Sequence, residues 1–236
     1  MVKSADNKSM DKPKVTLIIP TLNEAENLTA LLPQVIKVPG LDEILLVDGH
    51  SKDKTVEIAK KLCPGLRVVY QDGKGKGNAL RYGIDQSAGD IVITIDADGS
   101  MDPGEIPSFV APLLQGFDLV KGSRFLPGVG TKDMPSSRVF GNRVFTVLVN
   151  ILYRAKFTDL CYGYNAFWKR VFQKNKLTYD GFEIETEMYI RALKGKAKIK
   201  EVPSFEHARL NGEGGLRTYR DGWRIIRTII RERFHG

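Results

Sequence analysis

The chain has 236 residues, 42% of them apolar, and a formal net charge of +8. This length suits one domain with an elaborated C-terminal part, and the apolar share is that of a soluble globular protein with a large core, not of a disordered chain. The positive balance favours acidic partners, whether nucleic acid, anionic lipid or phosphorylated substrates, without choosing among them.

Residues 1–14 are polar and charged and lack the apolar core of a signal peptide, so a flexible tail is expected there. Val15–Pro20 reads as a first strand, and the helix after it carries Leu28, Leu31, Leu32, Val35 and Ile36. Ile44–Val47 is a second strand. Ser51 or Asp53 can cap the next helix, which holds Val56, Ile58, Ala59 and Leu62. Arg67–Tyr70 is a third strand, followed by a helix from about Lys76 to Ser87. Ile91–Ile95 is a fourth strand, near-continuously apolar, and a helix over Ile106–Leu114 leads to a fifth, Leu119–Gly122. Strands without polar alternation, separated by helices, indicate an α/β fold with a parallel sheet covered on both faces. Such sheets bind ligands beyond the carboxyl ends of their strands. Glu24, Asp48, Asp96 and Asp98 all fall at those ends.

The second half changes character. A long helix over Ser137–Tyr153 contains the longest apolar stretch, Val144–Tyr153, which is too short to span a bilayer at roughly 20 residues and is expected to be buried. The aromatic run Tyr162–Trp168 reads as core and is assigned no ligand. A helix over Ile184–Lys194, a strand over Ile199–Val202 and a Gly-rich loop over Asn211–Gly215 precede a terminal helix. That helix has apolar residues at 223, 226, 230 and 234, widened by Ile225 and Ile229, with Arg220, Arg224, Arg227 and Arg231 on other faces. It suits either an anionic membrane interface or docking on the protein's own core. Cys63 and Cys161 lie far apart, without further ligands at metal spacing, and read as reduced thiols of a cytosolic protein.

Asp96-Ala97-Asp98 places two carboxylates at i and i+2 of a strand end, where both can point one way with Ala97 between them. Two hard oxygen ligands suit Mg²⁺ or Mn²⁺, which keep positions open for substrate phosphates. The Gly73–Asn78 loop is basic and Gly-rich ahead of a helix, but lacks the spacing of a P-loop or a dinucleotide fingerprint. It reads equally as a phosphate site or a solvated turn. Arg124 stands where the fifth strand delivers its ligands, and Arg is suited to bidentate phosphate contact. Arg209 before Asn-Gly-Glu-Gly-Gly has the pattern of a cation on a closing lid.

Taken together, these pieces resemble the family-two glycosyltransferases of GT-A fold, closest to the dolichyl- or polyprenyl-phosphate sugar synthases. The matching segments are IPTLNEAENL (19–28), VDGHSKDKT (47–55), GKGNA (75–79), DADGS (96–100), GSR (122–124), the Arg138 and Asn142 pair, and ARLNGEGGL (208–216). The resemblance implies a Rossmann-like, mostly parallel sheet divided into a nucleotide-sugar-binding half, 15–124, and an acceptor-binding half, 125–217, with the basic terminal helix at 218–236. Pro20, Leu22, Glu24 and Asp48 are then expected to line the base and ribose pocket, with Lys76 near it. Asp96, Ala97 and Asp98 meet the metal and diphosphate, and Arg209 reaches the diphosphate from the closing loop. Arg124 and Arg138 hold an acceptor phosphate, with Asn142 beside them. Ser100 stands where polyprenyl-phosphate members usually carry Gln, Leu22 where an aromatic is frequent, and VDGHS replaces VDDGS.

The implied reaction is inverting transfer of a sugar from a GDP- or UDP-linked donor to a polyprenyl or dolichyl phosphate, catalysed by Asp98, Arg124 and Arg209 with Mg²⁺ or Mn²⁺. The alternative is a hydroxyl acceptor, which needs a carboxylate base from Asp159, Glu183 or Glu185; each of these also suits a structural role, such as pairing with Arg191. A nucleic-acid-binding domain is opposed by the acidic residues at the expected cleft, so no nucleic-acid partner is expected. A cytoplasmic protein is anticipated, with peripheral membrane contact or a membrane-protein partner.

Overall fold

The computed structural model describes residues 12–234, so most of the expected flexible tail lies outside the described residues. In chain order they form β1 (Val15–Thr21), α1 (Ala25–Val35), β2 (Glu43–Asp48), α2 (Thr55–Leu62), β3 (Arg67–Tyr70), α3 (Lys76–Gln86), β4 (Ile91–Thr94) and α4 (Ile106–Leu114). There follow β5 (Leu119–Ser123), α5 (Ser136–Tyr153), β6 (Asn165–Trp168), α6 (Arg170–Lys174), α7 (Ile184–Lys194), β7 (Ile199–Pro203) and α8 (Thr218–Phe234). The strands make one sheet in the order β3-β2-β1-β4-β6-β5-β7. Only β6 runs against its neighbours, pairing antiparallel with both β4 and β5. The sequence reading placed this aromatic segment in the core but did not see a strand. Its four residues are too few to show a period, and they are buried throughout except at Trp168.

Apolar runs become strands here because both sheet faces are covered. One face packs Leu17, Ile19, Leu46 and Ile93 against Leu28 and Leu32 of α1 and Phe109 of α4. The other packs Ile18, Leu45, Val47 and Val92 against α3 and α7. Helix α7 is buried along almost its whole length, and α5 and α8 pack outside it and against each other.

One local alternative is decided and two expectations are corrected. Asp53, not Ser51, accepts the Thr55 amide at the start of α2, because the Ser51 hydroxyl is drawn to Asp48. The Val144–Tyr153 stretch is helical but not a buried helix, since Val147 is 55% and Ile151 71% exposed. The apolar residues of α8 form two faces: Ile225 and Ile229 point into the core, whereas Trp223, Ile230 and Phe234 point out. No helix among the described residues is long and apolar enough to cross a membrane.

Candidate active site

A cleft of about 1420 Å³ opens beyond the carboxyl ends of β1, β2 and β4. The reason is topological: β2 and β4 flank β1 on opposite sides, so their following loops diverge and leave a crevice. Pro20, Leu22, Glu24, Lys76, Asp96, Ala97, Asp98, Arg124, Arg138, Asn142 and Arg209 all line it.

At its floor Lys76 Nζ lies 2.6 Å from one oxygen of Asp96 and 2.8 Å from Glu185 Oε1. Burial works against the lysine's charge, but the two carboxylates outweigh it and keep Lys76 protonated. Gly163 makes this cluster fit, since a Cβ there would stand 2.9 Å from both Lys76 Nζ and Glu185 Oε1. Burial raises Asp96 to about 6, with the neighbouring charges of Asp98 and Glu185 adding to the rise and Lys76 opposing it. Asp98 faces the same hollow and accepts from Arg209 Nη1 at 2.9 Å, while Arg209 Nη2 bonds Glu24.

The loop carrying Arg209 is closed over the cleft. Leu210 packs on Gly99, whose φ of +77° and bare Cα leave room for it, and Leu210 N donates to Asp98 O at 3.1 Å. Asn211 reaches α1 through paired bonds with Asn27.

Glu24, Asp96, Asp98 and Glu185 thus face two cations, Lys76 and Arg209, and this surplus of hard, partly desolvated oxygens suits a divalent cation. Among the described residues no three metal-binding side chains stand together. A cation here would therefore draw on Asp96, Asp98, solvent and substrate oxygens.

The Gly-rich basic loop is exposed at Lys74 and Gly75, but its helix end is packed against the chain and offers no free amide cradle. The amides of Gly77 and Asn78 at the start of α3 donate to Asp180 O, and side chains at 75 or 77 would run into the 179–181 backbone. These glycines let α3 approach the entrance to α7, which aims Lys76 at Asp96.

The side chains of three expected ligands are engaged with other protein groups. Arg124 is 4% exposed, and each of its side-chain nitrogens is taken: Nε and Nη2 by Asp159 at 2.7 and 2.9 Å, Nη1 by Glu206 at 2.9 Å. Asn142 donates to Asp159 and accepts from the amides of Leu160 and Cys161, so its carbonyl is filled and one of its two amide hydrogens is taken. Asp48 is 1% exposed and is not on the cleft wall; it accepts from the amide and hydroxyl of Ser51, and Gly49 faces the cleft instead. Arg138 differs from these. It lines the cleft from the first turns of α5; among the described residues its side chain bonds only Leu216 O at 3.3 Å, and its buried Nε has no partner.

Sequence reasoning missed Gln71, just beyond β3. It lines the cleft beside Gly49, and its buried Oε1 has no partner among the described residues. Nothing in its neighbours along the chain marked it. Gly163, Phe145 and Phe182 also line the cleft and were not singled out. Among the candidate bases, Asp159 serves Arg124 and Asn142, Glu185 serves Lys76, and it is Glu187 that pairs with Arg191.

A sequence model of the family described as glycosyl transferase family 2 matches residues 16–175. Glycosyltransferase AglJ of Haloferax volcanii is 34% identical over 92% of this chain and 71% of its own length. The dolichol-phosphate mannosyltransferase of Pyrococcus furiosus is 32% identical over 86% of this chain and 59% of its own. Across four curated relatives the chain spans 53% to 82% of their lengths. Among solved structures, glucosyl-3-phosphoglycerate synthase from Mycobacterium tuberculosis, in complex with Mn²⁺, UDP and glucosyl-3-phosphoglycerate, superposes with a TM-score of 0.75. It is 23% identical, over 93% of this chain and 80% of that one. The likeness establishes the fold as GT-A.

Proposed function

The chain belongs to glycosyl transferase family 2, and on that premise we propose that it moves a hexose from a nucleotide sugar to a polyprenyl or dolichyl phosphate. The observation that carries this reading is the cleft itself. Asp96 and Asp98 share its floor with Lys76 and Arg209, and Arg138 stands above with a buried nitrogen that has no partner.

In this reading Pro20, Leu22, Gly49 and Gln71 surround the nucleoside, and the diphosphate lies between Asp98 and Arg209. Asp96 and Asp98 would hold Mg²⁺ or Mn²⁺, as the M. tuberculosis synthase is crystallised with Mn²⁺ and UDP; bound there, the cation would neutralise charge on the departing diphosphate. Arg209 exchanges its present carboxylate partners for that diphosphate, so its charge strengthens the interaction as negative charge develops. Lys76 keeps Asp96 and Glu185 in place.

An acceptor phosphate is already ionised near neutral pH and needs no general base. It needs to be placed, and Arg138 can do this. One acceptor oxygen forms the bond to the anomeric carbon as the bond from that carbon to the diphosphate breaks, inverting its configuration. Arg124 acts at one remove, fixing Asp159 and Glu206 beneath the acceptor side. The dolichol-phosphate mannosyltransferase relative supports this acceptor class.

A hydroxyl acceptor is the second reading, favoured by Glu185, the one candidate base that lines the cleft. The test is incubation with Mg²⁺ or Mn²⁺, a panel of UDP- and GDP-sugars and polyprenyl phosphate, with product masses read directly. Transfer that survives Arg138→Ala but not Glu185→Gln would overturn the phosphate-acceptor reading.

A further inference from the structure

We propose that the outer faces of α5 and α8 together form a docking surface for an anionic lipid bilayer. Both helices are amphipathic in the inverse sense. The residues α5 buries are Asn142, Thr146 and Val149, two of them polar. At 100° per residue, Phe140, Val144, Val147 and Ile151 fall on the opposite side, and they are 70%, 44%, 55% and 71% exposed.

Helix α8 repeats the pattern. Its inner face carries Asp221 and Glu232 beside Ile225, Thr228 and Ile229. Asp221 accepts the Arg217 amide, and Glu232 is clamped by Arg191. Its outer face carries Tyr219, Trp223, Ile230 and Phe234, exposed by 94%, 67%, 47% and 73%. The two helices pack directly together: a Cβ on Gly222 would stand 3.5 Å from Phe145, and Tyr153 donates to Ile229 O at 2.7 Å. Two adjacent apolar stripes facing solvent exceed the scattered apolar residues of an ordinary surface.

Charge selects the occupant. Arg220, Arg224, Arg227 and Arg231 follow one another at helical spacing along one flank of the α8 stripe, and all are exposed. Long cationic side chains beside an apolar stripe reach anionic headgroups while the stripe enters the acyl boundary. A second copy of the chain fits less well, because a net charge of +8 opposes self-association. The same helices contribute Arg138, Phe145, Gly222 and Ile225 to the cleft wall, so a bilayer on this face lies beside the acceptor side. The docking itself does not depend on the acceptor reading.

The test is cosedimentation of the full chain with vesicles that contain no polyprenyl phosphate, so that the two readings fail separately. Vesicles of phosphatidylcholine with phosphatidylglycerol should pellet the protein at low salt. Phosphatidylcholine alone should bind at least about tenfold less. Val147→Ser with Ile151→Ser, and separately Trp223→Ser with Ile230→Ser, should each weaken binding by about tenfold or more while thermal unfolding stays unchanged. The emission of Trp223 should shift to shorter wavelength on binding. Binding unaffected by either pair, binding lost with one pair only, or stripes that hold a dimer together while vesicles remain unbound would overturn the proposal.

Discussion

The site's chemistry rests on a few charges whose partners are now known. Asp98→Asn should lower kcat by about 10²–10³-fold in a steady-state transfer assay, since it removes charge where the diphosphate departs. Arg138→Ala should cost a comparable factor with a polyprenyl phosphate acceptor, with nucleotide-sugar affinity by calorimetry little changed. Asp159→Asn acts on stability instead. It leaves Arg124 buried without its bidentate partner, at a cost of about 3–5 kcal/mol in urea unfolding. The wild type carries the matching pH dependence. Burial alone would raise the Asp159 carboxyl, but Arg124, with Lys121 adding, outweighs it and holds the group below the ordinary carboxylate range. A native value below the unfolded one contributes stability that is present above the unfolded value and lost as pH falls through the native one. Acid titration of the unfolding free energy should therefore show a steep loss at the low end, reduced in Asp159→Asn.

At the scale of elements, most strands and helices were legible because short apolar runs alternate with helical patterns along the chain. The helices over Ile106–Leu114 and Ile184–Lys194 have the bounds read from the sequence. Strand β6 was not, because its residues are placed by partners distant in the chain: Tyr189 donates to Asn165 Oδ1 at 2.7 Å. The start of α3 shows the same limit. A run of glycines and lysines reads equally as a phosphate site or a solvated turn, yet Gly77 is there to admit the 179–181 backbone. Gly77→Ala should cost about 1–3 kcal/mol by overpacking, measured as a lower denaturant midpoint, and should displace Lys76 from Asp96.

On the scale of the whole molecule, α8 is held by Ile225 and Ile229, which enter the core, and by the buried Glu232 paired with Arg191. Ile229→Ala should destabilise by about 2–5 kcal/mol, whereas Ile230→Ala, one residue on, should stay within about 0.5 kcal/mol. Chemical denaturation of the two variants checks this directly. Equal effects would mean that α8 turns its other face to the core.

The sequence alone determined the α/β alternation, the position of the acidic residues at strand ends, and the family resemblance. Each of these is carried by residues close together in the chain or by the order of short motifs. Only tertiary structure decided which polar groups are spent. Arg124, Asn142 and Asp48 have the residue types of ligands, but their side chains are buried and engaged with Asp159, backbone amides and Ser51. Arg138 and Gln71 keep polar atoms without partners beside the cleft. The physical reason is that a side chain's type sets what it can bond, while its remaining capacity depends on neighbours brought together from distant parts of the chain.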